Sequence, residues 1–229
     1  MSLNEHIASV QERIAHAADR VGRAPGDITL VAVTKTLDAA IIEQAFETGL
    51  REFGENRVQE LIKKHDQLST RIHWHLVGHL QSNKAKYIAP FVHLVHSIDS
   101  IETAKELGKR AEQAGRVIDV LIEVNIAHEP TKHGVLHDQA DPLLCDILEN
   151  TTNLRVRGLM TVAPYEDYPE NTRPYFRALK HLRDRIGSRY PDLTEFNQLS
   201  MGMTNDFEVA IEEGATIVRL GTAIFGERE

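Results

Sequence analysis

Cysteine is nearly absent: Cys145 is the single one among 229 residues. One thiol excludes an intramolecular disulfide and a cysteine-rich zinc site, and it points to a reducing, cytoplasmic compartment. Cys145 lies in the apolar run LLCDIL and reads as a packed helix residue. No apolar run reaches membrane-spanning length, and the amino terminus lacks the basic, apolar, small-residue order of a signal peptide, so no membrane partner is expected. Positive charge is short as well, with 26 Lys and Arg against 34 Asp and Glu and a formal net charge of −8. That balance argues against a nucleic-acid partner held by phosphate neutralisation. Low-complexity segments, internal repeats and an obvious extra dimerisation element are missing too, so one domain over residues 1–229 and a monomer are expected.

What is present alternates. The hydrophobic content of 41% is ordinary for a globular chain that buries a full core. The stretch TLVAVTK, Thr29 to Lys35, organises the rest: β-branched and apolar residues without glycine or proline predict a short strand buried on both faces, as in a parallel sheet. Before it, Leu3, Ile7, Val10, Ile14, Ala17, Ala18 and Val21 recur at helical spacing and predict an extra amino-terminal helix. Further strands are expected at Glu52–Gly54, His73–Gly78, Phe91–Ser97, Val117–Asn125, Leu154–Thr161, Glu195–Ser200 and Thr216–Gly221. Helices are expected from Asp38, as cap, to about Thr48, then over Arg57–Leu68, from Asn83, and over Ser100–Ala114, Asp138–Leu148, Asn171–Ser188 and Asn205–Glu213. Eight such units predict an α/β fold, a (β/α)8 TIM barrel. An open doubly wound sheet is the competing reading, but it calls for a glycine-rich first turn and TKTLDA follows the first strand.

A barrel brings the carboxyl ends of its strands to one mouth. There the sequence places Lys35, Glu55 with Asn56, His79, Ser97, Asn125, Met160 with Thr161, Ser200, and Arg219 with Gly221 and Thr222. Closure sets the eighth strand beside the first, which puts Arg219 near Lys35. A lysine amine in a dry pocket forms Schiff bases. The seventh and eighth strands end in SMGMTND and RLGTAIFG, where hydroxyls and glycines suit a phosphate monoester, at the usual phosphate site of barrel enzymes. Lysine and phosphate site together imply a phosphorylated carbonyl compound, either pyridoxal 5'-phosphate (PLP) or a sugar phosphate.

These stretches also carry a resemblance. VTKT around Lys35, FGENRVQE (Phe53 to Glu60), WHLVGHLQSNK (Trp74 to Lys84), GLMTVAPY (Gly158 to Tyr165), LSMGMTNDFEVAI (Leu199 to Ile211) and VRLGTAIFG (Val218 to Gly226) resemble the pyridoxal phosphate homeostasis protein family. Its members are single-domain relatives of the alanine racemase N-terminal barrel, and the six blocks stand in order over essentially the whole chain. The resemblance implies a barrel carrying PLP as an internal aldimine on Lys35. It implies that Ser200 and the backbone of Gly221 and Thr222 hold the phosphate, with Met201 and Gly202 shaping the turn. Arg219 would face the pyridine nitrogen, and Asn56 and His79 would line the pocket. The chain departs from the family's pattern at Asp38, where many members have proline, and in the loop NIAHEPTKHG. That loop keeps Asn125, Glu129, Lys132 and Gly134 but has Ala127 and His128 in place of a Ser-Gly pair, and adds Pro130.

Plainer roles stand beside these. Asn56, Ser200 and Thr204 are good helix caps, and Arg219 could serve as a structural ion-pair partner. His73 and His75 share a strand face, but no carboxylate or cysteine accompanies them at matching spacing, so they read as packing or surface residues and no metal is expected. Trp74 reads as an anchor packing its strand. His133 and His137 are assigned no role. For function, the resemblance implies an intracellular PLP-binding homeostasis protein without strong racemase activity, whose partners include PLP-dependent apoenzymes as recipients. The chain ends at Glu229, soon after its last strand, without the β domain that gives alanine racemase its second base. A PLP-dependent racemase or lyase is the alternative, and a class I aldolase-like enzyme acting on a sugar phosphate is the third reading.

Overall fold

Eight parallel strands close into a barrel in the computed structural model, which describes residues 2–227. Met1, Arg228 and Glu229, part of the expected domain range, lie outside the described residues. The strands are β1 (Thr29–Val33), β2 (Glu52–Glu55), β3 (His73–Leu76), β4 (Leu94–Ile98), β5 (Ile118–Glu123), β6 (Leu154–Met160), β7 (Gln198–Ser200) and β8 (Ile217–Leu220). Each pairs with the next in sequence, and β8 returns to β1 with Val31 opposite Arg219 and Ala32 opposite Leu220. The expected (β/α)8 TIM barrel is therefore the fold.

The helices are α1 (Leu3–Asp19), α2 (Ala39–Glu47), α3 (Val58–His65), α4 (Ala85–Ile88), α5 (Ile101–Gln113), α6 (Ala140–Asn150), α7 (Arg173–Arg189), α8 (Phe207–Glu212) and α9 (Thr222–Phe225). Helix α1 opens with a capping box: Ser2 Oγ accepts from the Glu5 amide, and the Glu5 carboxylate accepts from the Ser2 amide at 2.7 Å. Its buried stripe of Ile7, Val10, Ile14, Ala17 and Ala18 packs into the core, and Arg13 pairs with Glu208 of α8 at 3.1 Å.

Most strands are shorter than their apolar runs. β1 ends at Val33 rather than Lys35, β4 begins at Leu94 rather than Phe91, and β7 keeps three residues of the expected Glu195–Ser200. An apolar run marks burial, whereas a strand ends where its neighbour's register runs out. Two expected caps also differ. Asp38 stands at the start of α2 without a side-chain capping bond, and Arg57, not Asn56, occupies the cap position of α3. Cys145 lies on α6 but is only half-buried.

Period-two alternation sorts strand residues into two cores. Outward residues such as Ala32, Phe53, Trp74, Val120, Leu159 and Val218 pack beneath the helices. Trp74, 1% exposed and 6.2 Å from the Phe53 ring, is the anchor its sequence context suggests. Val31, Leu94, Leu121, Met160 and Ile217 form a small apolar plug inside the barrel, and polar groups lie above and below it.

The turn after β1 is clamped from both sides. Thr34 is fully buried: its hydroxyl donates to Glu55 Oε1 at 2.6 Å, and its carbonyl accepts from Lys64 Nζ at 2.7 Å. Lys64 also bonds Glu55 Oε1 at 2.6 Å. One residue past Lys35, Thr36 holds a left-handed φ of +64°, uncommon for a β-branched residue, and its amide donates to Glu60 Oε2 at 3.0 Å. Burial pushes the Glu55 carboxyl up, against the pull of Lys64 and Thr34, and its Oε2 has no hydrogen-bond partner.

Removing one partner of this buried pair strands the other. Lys64→Met should lower stability in urea denaturation by about 3–5 kcal/mol, and Glu55→Gln added to it should restore part of the loss. Additive single-mutant losses in that cycle would show that the pair does not act as a unit.

Candidate functional site

By the alternation that puts Val31 and Val33 inside the barrel, Lys35 points to the mouth, two residues above Val33. It is exposed, and its amine has no hydrogen-bond or ion-pair partner among the described residues. Register sets its neighbours. Val33 pairs with Gly54, so Asn56 stands level with Lys35 on the next strand path, and Val31 pairs with Arg219, so Gly221 stands level with Val33. The structure thus brings Lys35, Asn56 and the end of β8 to one rim.

Beside this rim lies an open cavity of about 440 Å³, lined by Asn56, His79, Glu123, Asn125, Lys132 and His133 among others. Asn56 and His79 face one space, as expected. His79 lies 3.2 Å from Asp99 and stacks on His133 with ring centres 4.0 Å apart. His133 was assigned no role because it sits in the divergent loop, where residue spacing carries no geometry. Asn125 is taken up by that loop, exchanging hydrogen bonds with the Glu129 backbone at 2.8 and 3.0 Å. Lys132 pairs with Glu129 at 2.6 Å and donates to the Ala163 carbonyl at 3.1 Å, fastening the loop beyond β6. Burial pushes the Glu123 carboxyl up to about 7, with Asp99 adding to the rise and Arg219 opposing it.

Arg219 is buried beneath the mouth. Its Nη1 donates to Ser200 Oγ at 2.6 Å and its Nη2 to the Thr161 carbonyl at 2.8 Å. Burial lowers its pKa to about 10, opposed by Glu123 and Asp206, so it stays charged at neutral pH. No carboxylate lies within 4.0 Å of it among the described residues, so the ion-pair role considered for Arg219 is not what the structure shows.

Ser200, expected at the phosphate, is fully buried, with its hydroxyl turned to Arg219 and, at 2.8 Å, to His96 Nδ1. Nor does it cap α8, whose cap position is Asp206. The hydroxyl that joins the loops after β7 and β8 is that of Thr204, which accepts from the Ala223 amide at 3.3 Å. Met201 is buried, its amide bonded to the Ile217 carbonyl at 3.1 Å. Gly202 shapes the turn, as expected: its φ is +91°, and a Cβ there would lie 2.6 Å from the Ala210 Cβ. Its carbonyl accepts from the Arg219 amide at 3.0 Å, so the turn and the arginine are set together. Gly221 and Thr222 follow β8, half-buried and exposed, at the start of α9.

At the opposite end of the barrel, histidines and a carboxylate meet. Glu52 Oε1 lies 2.8 Å from His73 Nδ1, and Oε2 lies 2.8 Å from His75 Nε2. The carboxylate that sequence spacing did not place beside His73 and His75 therefore comes from the neighbouring strand. Glu52, His73 and His93, and separately His79, Asp99 and His133, hold potential ligand atoms within 4.8 Å of one another. Both Glu52 oxygens, however, are already satisfied by imidazole nitrogens. His75 continues inward, with Nδ1 at 2.8 Å from His96 Nε2.

The chemistry available is that of a free amine at the mouth, a buried cation below it, and hydroxyl-bearing, glycine-shaped loops at the rim. Such a set suits an anionic carbonyl compound. The comparisons agree with it. The chain matches the family described as "Alanine racemase, N-terminal domain" over residues 6–229. It is 46% identical to the pyridoxal phosphate homeostasis protein of Aquifex aeolicus (strain VF5) over 230 residues, covering 100% of both chains. A crystal structure of an unknown protein from Bifidobacterium adolescentis superposes with a TM-score of 0.91 at 37% identity, over 97% of this chain and 94% of that one. PipY of Synechococcus elongatus PCC7942, solved with PLP bound, gives a TM-score of 0.86 at 32% identity, over 98% of this chain and 100% of its own. On this geometry and these matches, the chain belongs to the pyridoxal phosphate homeostasis protein family, on the alanine racemase N-terminal barrel.

Proposed function

We propose that this protein binds PLP and serves its homeostasis, with Lys35 holding the cofactor covalently and reversibly. The observation that carries the reading is the unpartnered Lys35 amine, clamped at the mouth two residues above the level of Gly221. The residues present fit the group. PLP offers an aldehyde, a phosphate and a pyridine nitrogen; the chain offers an amine, hydroxyls with glycine backbone, and a guanidinium. The Lys35 amine condenses with the aldehyde carbon, forming a C–N bond and releasing water. Thr204, Gly221 and Thr222 are the groups at the phosphate end, and Met201 and Gly202 set the turn beneath them. Arg219, as a permanent cation at the pyridine nitrogen, disfavours a proton there: like charges about 4 Å apart repel by about 4 kcal/mol at an effective dielectric of 20. PLP supplies an electron sink when bound, and an unprotonated ring is a weaker one.

Storage and release rather than turnover follow from that weakness. The relatives above carry homeostasis in their names or PLP in their titles, which favours this reading over a sugar-phosphate aldolase. We place the protein in the cytoplasm as a monomeric single barrel, with PLP-dependent apoenzymes as recipients. Among the described residues no helix is long and apolar enough to cross a membrane. A second reading, an amino-acid racemase or lyase, draws on one observation: Glu123, poised near neutrality beside the mouth, is a proton carrier that could act with Lys35. Exchange of the α-proton of an amino acid, lost in both Lys35→Ala and Glu123→Gln, would support it.

Titration of PLP into the protein should raise a visible absorption band with one equivalent bound. Lys35→Ala should lose the band while retaining its far-ultraviolet circular dichroism and melting temperature. An unchanged band in that variant would remove Lys35 from the role.

Binding should also depend on pH through Glu123. Its carboxyl is neutral below about 7 and ionised above it, where it adds negative charge beside an anionic ligand, with Asp99 disfavouring and Arg219 favouring the ionised form. Between pH 6 and 8.5 the dissociation constant of the native protein should rise roughly three- to tenfold relative to that of Glu123→Gln. Parallel profiles would show that Glu123 does not face the ligand.

A further inference from the structure

Each contact between Arg219 and the far end of the barrel has a direction fixed by the groups at its ends. A guanidinium only donates, so Ser200 Oγ accepts from Arg219 Nη1 at 2.6 Å. The hydroxyl proton must then go to the other partner of Ser200, His96 Nδ1 at 2.8 Å, which leaves that nitrogen bare. A neutral His96 carries its proton on Nε2, which faces His75 Nδ1 at 2.8 Å. At the far end a carboxylate only accepts, so His75 Nε2 donates to Glu52 Oε2 at 2.8 Å. Four hydrogen bonds thus run one way, from Arg219 through Ser200, His96 and His75 to Glu52.

The charge states agree with this order. His96 is fully buried, and burial, with His75, Arg219 and His93 nearby, pushes its pKa well below the ordinary value. Burial pushes the Glu52 carboxyl up, but hydrogen bonds and charge from His75 and His73 hold it down at about 2. The reverse order would put the His96 proton on Nδ1, facing the Ser200 oxygen. Ser200, fully buried and with no polar partner besides Arg219 and His96 among the described residues, would then hold a proton with no acceptor. A buried unsatisfied donor costs about 1–3 kcal/mol, which decides the direction.

We propose that His96 and His75 are positioning residues for Arg219. As neutral rings protonated on Nε2, they form with Ser200 a one-way relay that ties the guanidinium to Glu52 and turns the Ser200 proton away from the mouth. Two of the five guanidinium N–H groups are thereby committed, to Ser200 and to the Thr161 carbonyl, and the plane of the group is set. The bearing on cofactor binding rests on the reading that Arg219 faces PLP; the direction of the relay does not.

The test has two arms. In the first, long-range 15N–1H spectra are recorded on the cofactor-free native chain at pH 7.5, with His75 and His96 assigned by the signals lost in His75→Gln and His96→Gln. Both rings should show a protonated Nε2 and a bare Nδ1. A His96 protonated on Nδ1, or either ring doubly protonated, would overturn the relay. In the second arm, a folded His96→Leu should bind PLP about tenfold more weakly, as expected for a hydrogen bond bearing on a charged group, and with a shifted visible band. Native affinity and band position in that variant would overturn the positioning role. A native chain that gives the expected nitrogen spectra but does not bind PLP would instead count against the proposed function, leaving the relay standing.

Discussion

A permanently charged guanidinium inside the barrel is the constraint on which the site depends. Arg219 is fully removed from water, and a buried charge is tolerated only when its donors are matched. None of the carboxylates among the described residues touches it; its bonded partners are the Ser200 hydroxyl and the Thr161 carbonyl. Negative charge acts from a distance, through Glu123 and Asp206. The arrangement keeps the cation in place while leaving its field available to a ligand above it. It also explains the histidines inside the barrel, since the Ser200 hydroxyl that accepts from Arg219 needs an acceptor of its own, and His96 is that acceptor.

The amine and the cation are held by different means. Lys35 depends on a strained turn kept in shape by the buried Thr34–Glu55–Lys64 cluster and by Glu60. Arg219 depends on the Gly202 turn, whose carbonyl bonds the arginine amide and whose left-handed backbone leaves no room for a side chain. Neither device rests on a long-range conformational change. A mouth built on rigid strand ends is suited to a ligand that arrives, is held by a reversible covalent bond, and leaves unchanged.

How much of this was legible follows from where the information lies. The eight strands were readable because parallel strands buried on both faces appear as continuous apolar runs. Lys35 was readable because alternation from Val31 and Val33 points it to the mouth. Strand ends were not readable, since Phe91 and Glu195 lie in runs that resemble strand but fall outside the paired register. Ser200 was placed at the rim on its position after β7, yet its hydroxyl answers to His96, 104 residues away, and no local pattern encodes that pairing. Glu52 escaped for the same reason, as a carboxylate supplied to His73 and His75 by the adjacent strand. His133 lies in a divergent loop, where neither period nor register applies.

The central claim is that the barrel mouth captures PLP through one amine. Borohydride reduction of the protein after incubation with one equivalent of PLP, followed by peptide mass mapping, tests it most directly. The account predicts a single pyridoxyl adduct on the peptide containing Lys35. Modification spread over surface lysines, with Lys35 unmodified, would contradict it.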